Sequence, residues 1–212
     1  MGKKTDNHNL PAKLDLRRYF LLRYHACGPM HVLDCCQGGG VIWRLLRREF
    51  DVDSYWGVDV KRKKGRLKID STRILSQAGW PQNVIDIDTY GSPWKHWEAM
   101  LPNVRKPTTV FLTIGLVAIG GAKLTKEVKE AIWLGDLEPP PAIVASLQTL
   151  AASYLLARCY DYDIMPIEAV EASEAASHAR YIGIRLAPQN ERPEDQSGRP
   201  EHPIPTTEES NV

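Results

Sequence analysis

Four aspartates close short apolar runs in this 212-residue chain: Asp34, Asp59, Asp70 and Asp88. A carboxylate is an acceptor only, so such acids suit hydroxyl, amino and ammonium groups rather than phosphates. The first belongs to His31-Val32-Leu33-Asp34, which runs into Cys35-Cys36-Gln37 and then Gly38-Gly39-Gly40. An apolar-periodic segment starts at Val41. This is the pattern of a strand that ends, a tight loop and a helix that begins. Glycines there let a ligand approach bare backbone N–H groups. Together the loop and the acids imply a small nucleoside-containing ligand.

Two common nucleotide motifs do not fit. A dinucleotide fingerprint needs G-x-G-x-x-G, whose third glycine lets helix and strand pack closely. Here Gly38 and Gly40 are followed by Trp43 at that position. No Gly-Lys-Ser/Thr follows, which excludes a phosphate-cradling P-loop. A metal is not expected either. Cys27, Cys35, Cys36 and Cys159 make no Cys-x-x-Cys pair, and with His25 and His31 they fit no common zinc spacing.

The elements that must position the acids alternate. Helices are expected over residues 14–24, 41–50, 71–78, 93–100 and 143–159. Strands are expected over 31–33, 55–60, 67–69, 84–88 and 109–114, with a closing hairpin from 164–170 and 180–186. Strands separated by helices imply an α/β fold with a mostly parallel sheet covered on both faces. Ligands in such folds sit at the carboxyl ends of the strands, where all four acids fall. Asp86 lies within its strand and ranks below Asp88 as a working carboxylate.

The segment Asp34-Cys35-Cys36-Gln37-Gly38-Gly39-Gly40 resembles the first motif of the class I S-adenosylmethionine-dependent methyltransferases, acid-x-Gly-x-Gly-x-Gly, with Cys36 in the first glycine position. The likeness covers roughly residues 14–187. It implies a Rossmann-like seven-stranded methyltransferase sheet, mostly parallel with a C-terminal antiparallel hairpin, and S-adenosyl-L-methionine as cofactor. It also implies that Asp59, in Gly57-Val58-Asp59-Val60, accepts the ribose hydroxyls, and that Asp70-Ser71 lies against the adenine. The cofactor-binding set is then Asp34, Cys36, Gly38, Gly40, Asp59, Asp70 and Ser71.

The fourth strand runs into VIDIDTYGSP, which is similar to the D-x-DPYGSP segment of the tRNA guanine-N2 (guanosine-26) methyltransferases, with Thr89 where that family has proline. The resemblance implies methylation of an exocyclic amino group by way of Asp88, Thr89 and Tyr90. The lone pair of such an amine is delocalised into the ring. Asp88 can accept the amine's hydrogens, aim the lone pair and take the departing proton. Tyr90 offers a face for an extruded base. Lys61, Arg62, Lys63 and Lys64 open a run of six bases in eight residues that could meet phosphates, and Trp94 could stack on a base. A nucleic-acid substrate is expected, RNA ahead of DNA. A small-molecule or protein acceptor, or a non-catalytic cofactor-binding module, are the alternatives. The RNA-binding extension of the guanosine-26 enzymes is not evident.

Composition is that of a globular domain, with 43% hydrophobic and 25% charged residues and a net charge of +1. No apolar run suggests a membrane span or signal peptide, so cytoplasmic residence is expected. Residues 1–12 are expected to be loose, 13–187 to form the methyltransferase domain, and 188–212 to be a disordered acidic tail. The stretch 116–141, with a helix expected at 124–133, is a candidate lid or acceptor-recognition insertion.

Overall fold

Two short strands, β1 (His31–Asp34) and β4 (Val84–Ile87), lie side by side at the centre of the sheet and are buried along most or all of their length. Central parallel strands are apolar for this reason, since helices cover both of their faces. The computed structural model describes residues 9–61, 67–89, 92–115, 126–131, 134–137, 150, 152–172 and 179–189. The remaining strands are β2 (Ser54–Asp59), β3 (Leu67–Lys68), β5 (Thr108–Gly115), β6 (Ile164–Glu171) and β7 (Ala179–Pro188). They form one seven-stranded sheet in the order β3-β2-β1-β4-β5-β7-β6. The first five strands pair in parallel, and β7 runs antiparallel to both β5 and β6. The chain reverses its direction of travel across the sheet between β1 and β4. A crevice opens at the carboxyl ends of strands at such a switch point.

Alternation along β4 places the helices. Val84 packs into a core with α1 (Leu10–Tyr24) and α2 (Val41–Leu46), while Ile85 and Ile87 pack into a second core on the opposite face. That second core is built on α3 (Ser71–Leu75), α4 (Trp94–Met100) and the α6 helix of residues 152–157. A further short helix, α5 (Lys126–Ala131), falls where a helix was expected over 124–133. Most of 116–141, like 143–149 of the expected long helix, lies outside the described residues. α1 packs closely on β7. A Cβ added at Gly183 would lie 2.4 Å from Phe20 Cε2, so only glycine fits beneath that ring.

Several boundaries differ from expectation. α1 begins at Leu10, with Pro11 in its first turn, so residues 10–12 are helical rather than loose. Proline is favoured there because its missing N–H is not needed in a first turn. α2 stops at Leu46 rather than 50, because Arg48 and Glu49 donate to carbonyls only three residues back, at Leu45 and Leu46. β7 continues to Pro188, which is paired with Ile164. Pro188, at the start of the expected tail, is thus part of the sheet, and 190–212 lie outside the described residues. Pro166, which has no N–H for the ladder, sits at a register shift in edge strand β6. Among the described residues no helix is long and apolar enough to cross a membrane.

Candidate active site

The glycine loop is stitched to the strands on both sides of it. Cys35 N–H donates to the Asp86 carbonyl at 2.8 Å, and Gln37 N–H to the Val58 carbonyl at 3.0 Å. Gly40 N–H closes a turn on the Gln37 carbonyl at 2.6 Å. Gly38 and Gly40 have φ of 49° and 62°, a conformation that penalises a side chain. Gly57 of β2 is required for another reason. A Cβ there would lie 2.5 Å from Gln37 Cδ, so the loop rests on bare β2 backbone.

Asp59 ends β2 and reaches back to this loop. One carboxylate oxygen accepts from Gly38 N–H at 3.3 Å, and the other from Lys61 N–H at 2.8 Å. Asp70 caps α3 by accepting from Thr72 N–H and Oγ at 3.0 and 2.7 Å, contacts that hold its carboxyl below the ordinary range, chiefly the hydroxyl one. Its neighbour Ser71 is buried. The Ser71 hydroxyl donates to the Cys35 carbonyl and pairs with His96 Nε2, both at 2.9 Å. Within the expected pair, Asp70 is the exposed member and Ser71 ties α3 and α4 to the loop. The Cys36 thiol is half-buried, and burial followed by the surrounding aspartates pushes its pKa up.

Asp34 and Asp86 are register partners on β1 and β4, and Asp88 lies two residues beyond Asp86, just past the end of β4. All three carboxylates therefore belong to the sheet face covered by α1. Asp34 accepts from the Tyr55 hydroxyl at 2.8 Å. Burial, then the neighbouring Asp86, pushes its carboxyl well above the ordinary range, against the opposing pull of Tyr55 and Arg17. Asp86 takes a fork from Arg17, Nε at 2.8 Å and Nη2 at 2.6 Å, and a third bond from Trp43 Nε1 at 2.7 Å. Trp43 thus uses the position where a dinucleotide fold has glycine to hold a buried acid. Asp88 receives the Lys13 ammonium on both oxygens, at 2.6 and 2.7 Å. Burial would raise the Asp88 carboxyl, but Lys13, and Arg17 behind it, outweigh that and hold it below the ordinary range.

Lys13, Arg17 and Tyr55 are the residues that sequence reasoning missed. A signal was present. Positions 10, 13, 14, 17, 20, 21 and 24 form the inward stripe of α1, and Lys13 and Arg17 occupy two apolar places in it. Two buried cations on such a stripe demand buried anions.

Of the other expected residues, Thr89 is buried beside β5, its hydroxyl 3.4 Å from the Thr113 carbonyl. Trp94 is half-buried against the second core, and Trp97 is fully buried, donating to the Leu155 carbonyl. Lys61 is exposed. Tyr90, Arg62, Lys63 and Lys64 lie outside the described residues. Among the described residues no cluster of His, Cys, Asp and Glu is placed to hold a metal.

No family model matches the chain, and no curated protein matches it. Solved structures do. Trm1 from Pyrococcus horikoshii, solved with S-adenosyl-L-methionine, superposes with a TM-score of 0.60 at 15% identity, over 84% of this chain and 54% of that one. The chain thus spans about half the length of that protein. Candidate hemolysins from Streptococcus thermophilus and Lactococcus lactis superpose with TM-scores of 0.51 and 0.52 at 14% and 10% identity. The overlaps cover 88% and 82% of this chain, and 70% and 86% of theirs. The chain has the fold of the class I methyltransferases.

Proposed function

We propose that this protein is an S-adenosylmethionine-dependent methyltransferase acting on an exocyclic amino group of a nucleic-acid base, RNA ahead of DNA. One observation carries the reading: Asp88, an ionised and partly open carboxylate, ends β4 beside the glycine loop at the switch point of the sheet.

The residues present fit that cofactor. Asp59 ends β2 at the glycine loop, and its two carboxylate oxygens are acceptors of the kind that two ribose hydroxyls need. Asp70 is exposed at the start of α3, on the adenine side of this arrangement. Gly38 and Gly40 leave the loop without side chains for the amino-acid part to clear. Asp34 and Cys36 complete the wall. The cofactor, when bound, supplies an electrophilic methyl group on a sulfonium.

Asp88 accepts an N–H of the acceptor amine, turns its lone pair toward the methyl group and so does the work of positioning. The Lys13 contact makes Asp88 a weak base. The proton released from nitrogen therefore passes on to water instead of resting on the carboxylate. Thr89 shapes the turn after Asp88, and Tyr90 stacks on the base. Lys61, Arg62, Lys63 and Lys64 meet the phosphates, with Trp94 at the rim. Those phosphate and stacking roles favour a polynucleotide over a metabolite.

Labelled cofactor incubated with total RNA, DNA, protein and metabolite pools tests the acceptor. Label in RNA is expected, in base-methylated nucleoside after digestion. Label confined to protein or metabolites overturns the nucleic-acid assignment. Cofactor binding with no transfer to any pool overturns the enzyme assignment.

Asp59→Ala tests the cofactor site. Two hydrogen bonds to a charged acceptor contribute about 1.5–3 kcal/mol each. Calorimetry should therefore show affinity for S-adenosylmethionine weakened about 100-fold or more. Unchanged affinity would remove Asp59 from the site.

A further inference from the structure

Lys13 and Arg17 stand one turn apart on α1, and Asp86 and Asp88 stand two residues apart, in β4 and just past its end. One helix face therefore meets one strand face through two ion pairs, and the two differ in kind. Arg17 and Asp86 are sealed, with side chains 2% and 1% exposed, and the fork plus the Trp43 indole engages the carboxylate from three donors. Lys13 is nearly as enclosed, at 9%, and its ammonium sits 5.0 Å from the centre of the Tyr181 ring. Asp88 remains 18% exposed. A carboxylate has about four lone-pair sites, and the ammonium takes one on each oxygen. With the Thr113 hydroxyl also beside it, the carboxylate still keeps a site for a further donor. Asp86 is an anchor; Asp88 is held yet still open.

We propose that Lys13 is a positioning residue for Asp88: its ammonium fixes the carboxylate's direction at the end of β4 and supplies the counter-charge that lets it accept, rather than donate, a hydrogen bond. The inference rests on the reading of Asp88 as the carboxylate that orients the acceptor amine. It follows from the charges that share the site. Among the described residues the pair is faced by Arg17 from α1, Asp86 from β4 and Asp34 from β1. Thr113 of β5, Tyr181 of β7 and the Cys36 thiol complete the surroundings. Three carboxyl groups share two cations, and burial with Asp86 already pushes one of them, Asp34, well above the ordinary range. Without Lys13, Asp88 would face Asp86 and Asp34 with Arg17 alone, and Arg17 is already bound to Asp86. Asp88 would then take up a proton more readily, and a protonated carboxyl offers a donor to an amine that is itself a donor. The Lys13 ammonium is held by both Asp88 oxygens and lies over the Tyr181 ring, as suits a support rather than a movable plug.

The test compares Lys13→Met and Lys13→Arg with the parent protein in two measurements. One follows the Asp88 carboxyl by 13C NMR across pH in the ligand-free protein, with the resonance assigned through Asp88→Asn. The other follows methyl transfer across pH. An opposite charge at this distance moves a carboxyl by about 1–3 units. In Lys13→Met the Asp88 titration and the acid limb of the transfer rate should both move upward by about that amount, and Lys13→Arg should bring both back. An Asp88 titration unmoved in Lys13→Met overturns the proposal. So does a rate lowered equally at every pH, which would show that Lys13 only packs. If Lys13→Met does not fold, Lys13→Gln carries the same expectations. If the parent protein transfers to no pool, the methyltransferase reading falls by itself, and the Asp88 titration still decides whether Lys13 controls that carboxylate.

Discussion

Asp88→Asn should leave S-adenosylmethionine binding in place and cut methyl transfer by about 10²-fold or more, the scale on which a lost positioning contact acts. The amide keeps the shape of the carboxylate. Its carbonyl can still face the Lys13 ammonium, so α1 should stay docked. What changes is the open side, where an NH₂ now meets the acceptor's own N–H, two donors facing each other. The separation of the two effects is the informative part. Asp88 directly follows β4, whereas Asp59, proposed to accept the ribose hydroxyls, ends β2, with β1 between the two strands. Single-turnover transfer and calorimetric affinity measured on the same sample check it. Retained turnover would remove the carboxylate from catalysis. Loss of cofactor affinity equal to that in Asp59→Ala would move Asp88 to the cofactor site.

Arg17→Met should destabilise the protein strongly, by about 3–5 kcal/mol, since breaking a buried pair leaves its partner as an uncompensated charge. Total stabilities of such domains are about 5–15 kcal/mol, so the variant is expected to be marginal. Trp43 alone would remain on Asp86, with a single neutral donor where three donors had been. The double variant Arg17→Met with Asp86→Leu should recover much of the loss, because two apolar side chains then meet where two charges did. Recovery should stop short of the parent, since the Trp43 indole N–H would lose its acceptor, at about 1–3 kcal/mol. Urea titration of the three proteins decides this. A loss below about 1 kcal/mol for Arg17→Met would place the pair among surface-like bridges.

The sheet was legible because its signals are local. β1, β2, β4 and β5 are short apolar runs closed by acids or loops, and each falls within a residue or two of its expected range. The closing hairpin was legible from its alternation. Helix ends were less so. α2 ends four residues early because its last turn tightens into shorter bonds, a choice made by packing that no residue type announces. At the site, the glycine loop and the four acids were legible by type and spacing. The way the acids are occupied was not. Asp86 and Asp88 meet their counter-charges 69 and 75 residues away in sequence, on a helix read only as amphipathic. Trp43 marked only what the loop is not; its indole bond to Asp86 shows what that side chain is for. Ser71 reads as a ligand contact beside Asp70, and its latch to the Cys35 carbonyl and His96 was not legible, since it is set by which side of a helix start faces the core.

The pairing of α1 with β4 also orders events during synthesis. The helix is made first, and its two inward cations have nothing to neutralise them until the chain has extended well past residue 88. Until then α1 carries charges where its apolar stripe should be continuous, and it is a poor partner for any sheet but its own. Closing so long a loop is slow, since the residues it joins are 69 and 75 apart in sequence. The two side chains that hold the carboxylates in the finished protein thus tie the docking of α1 to the completion of β4.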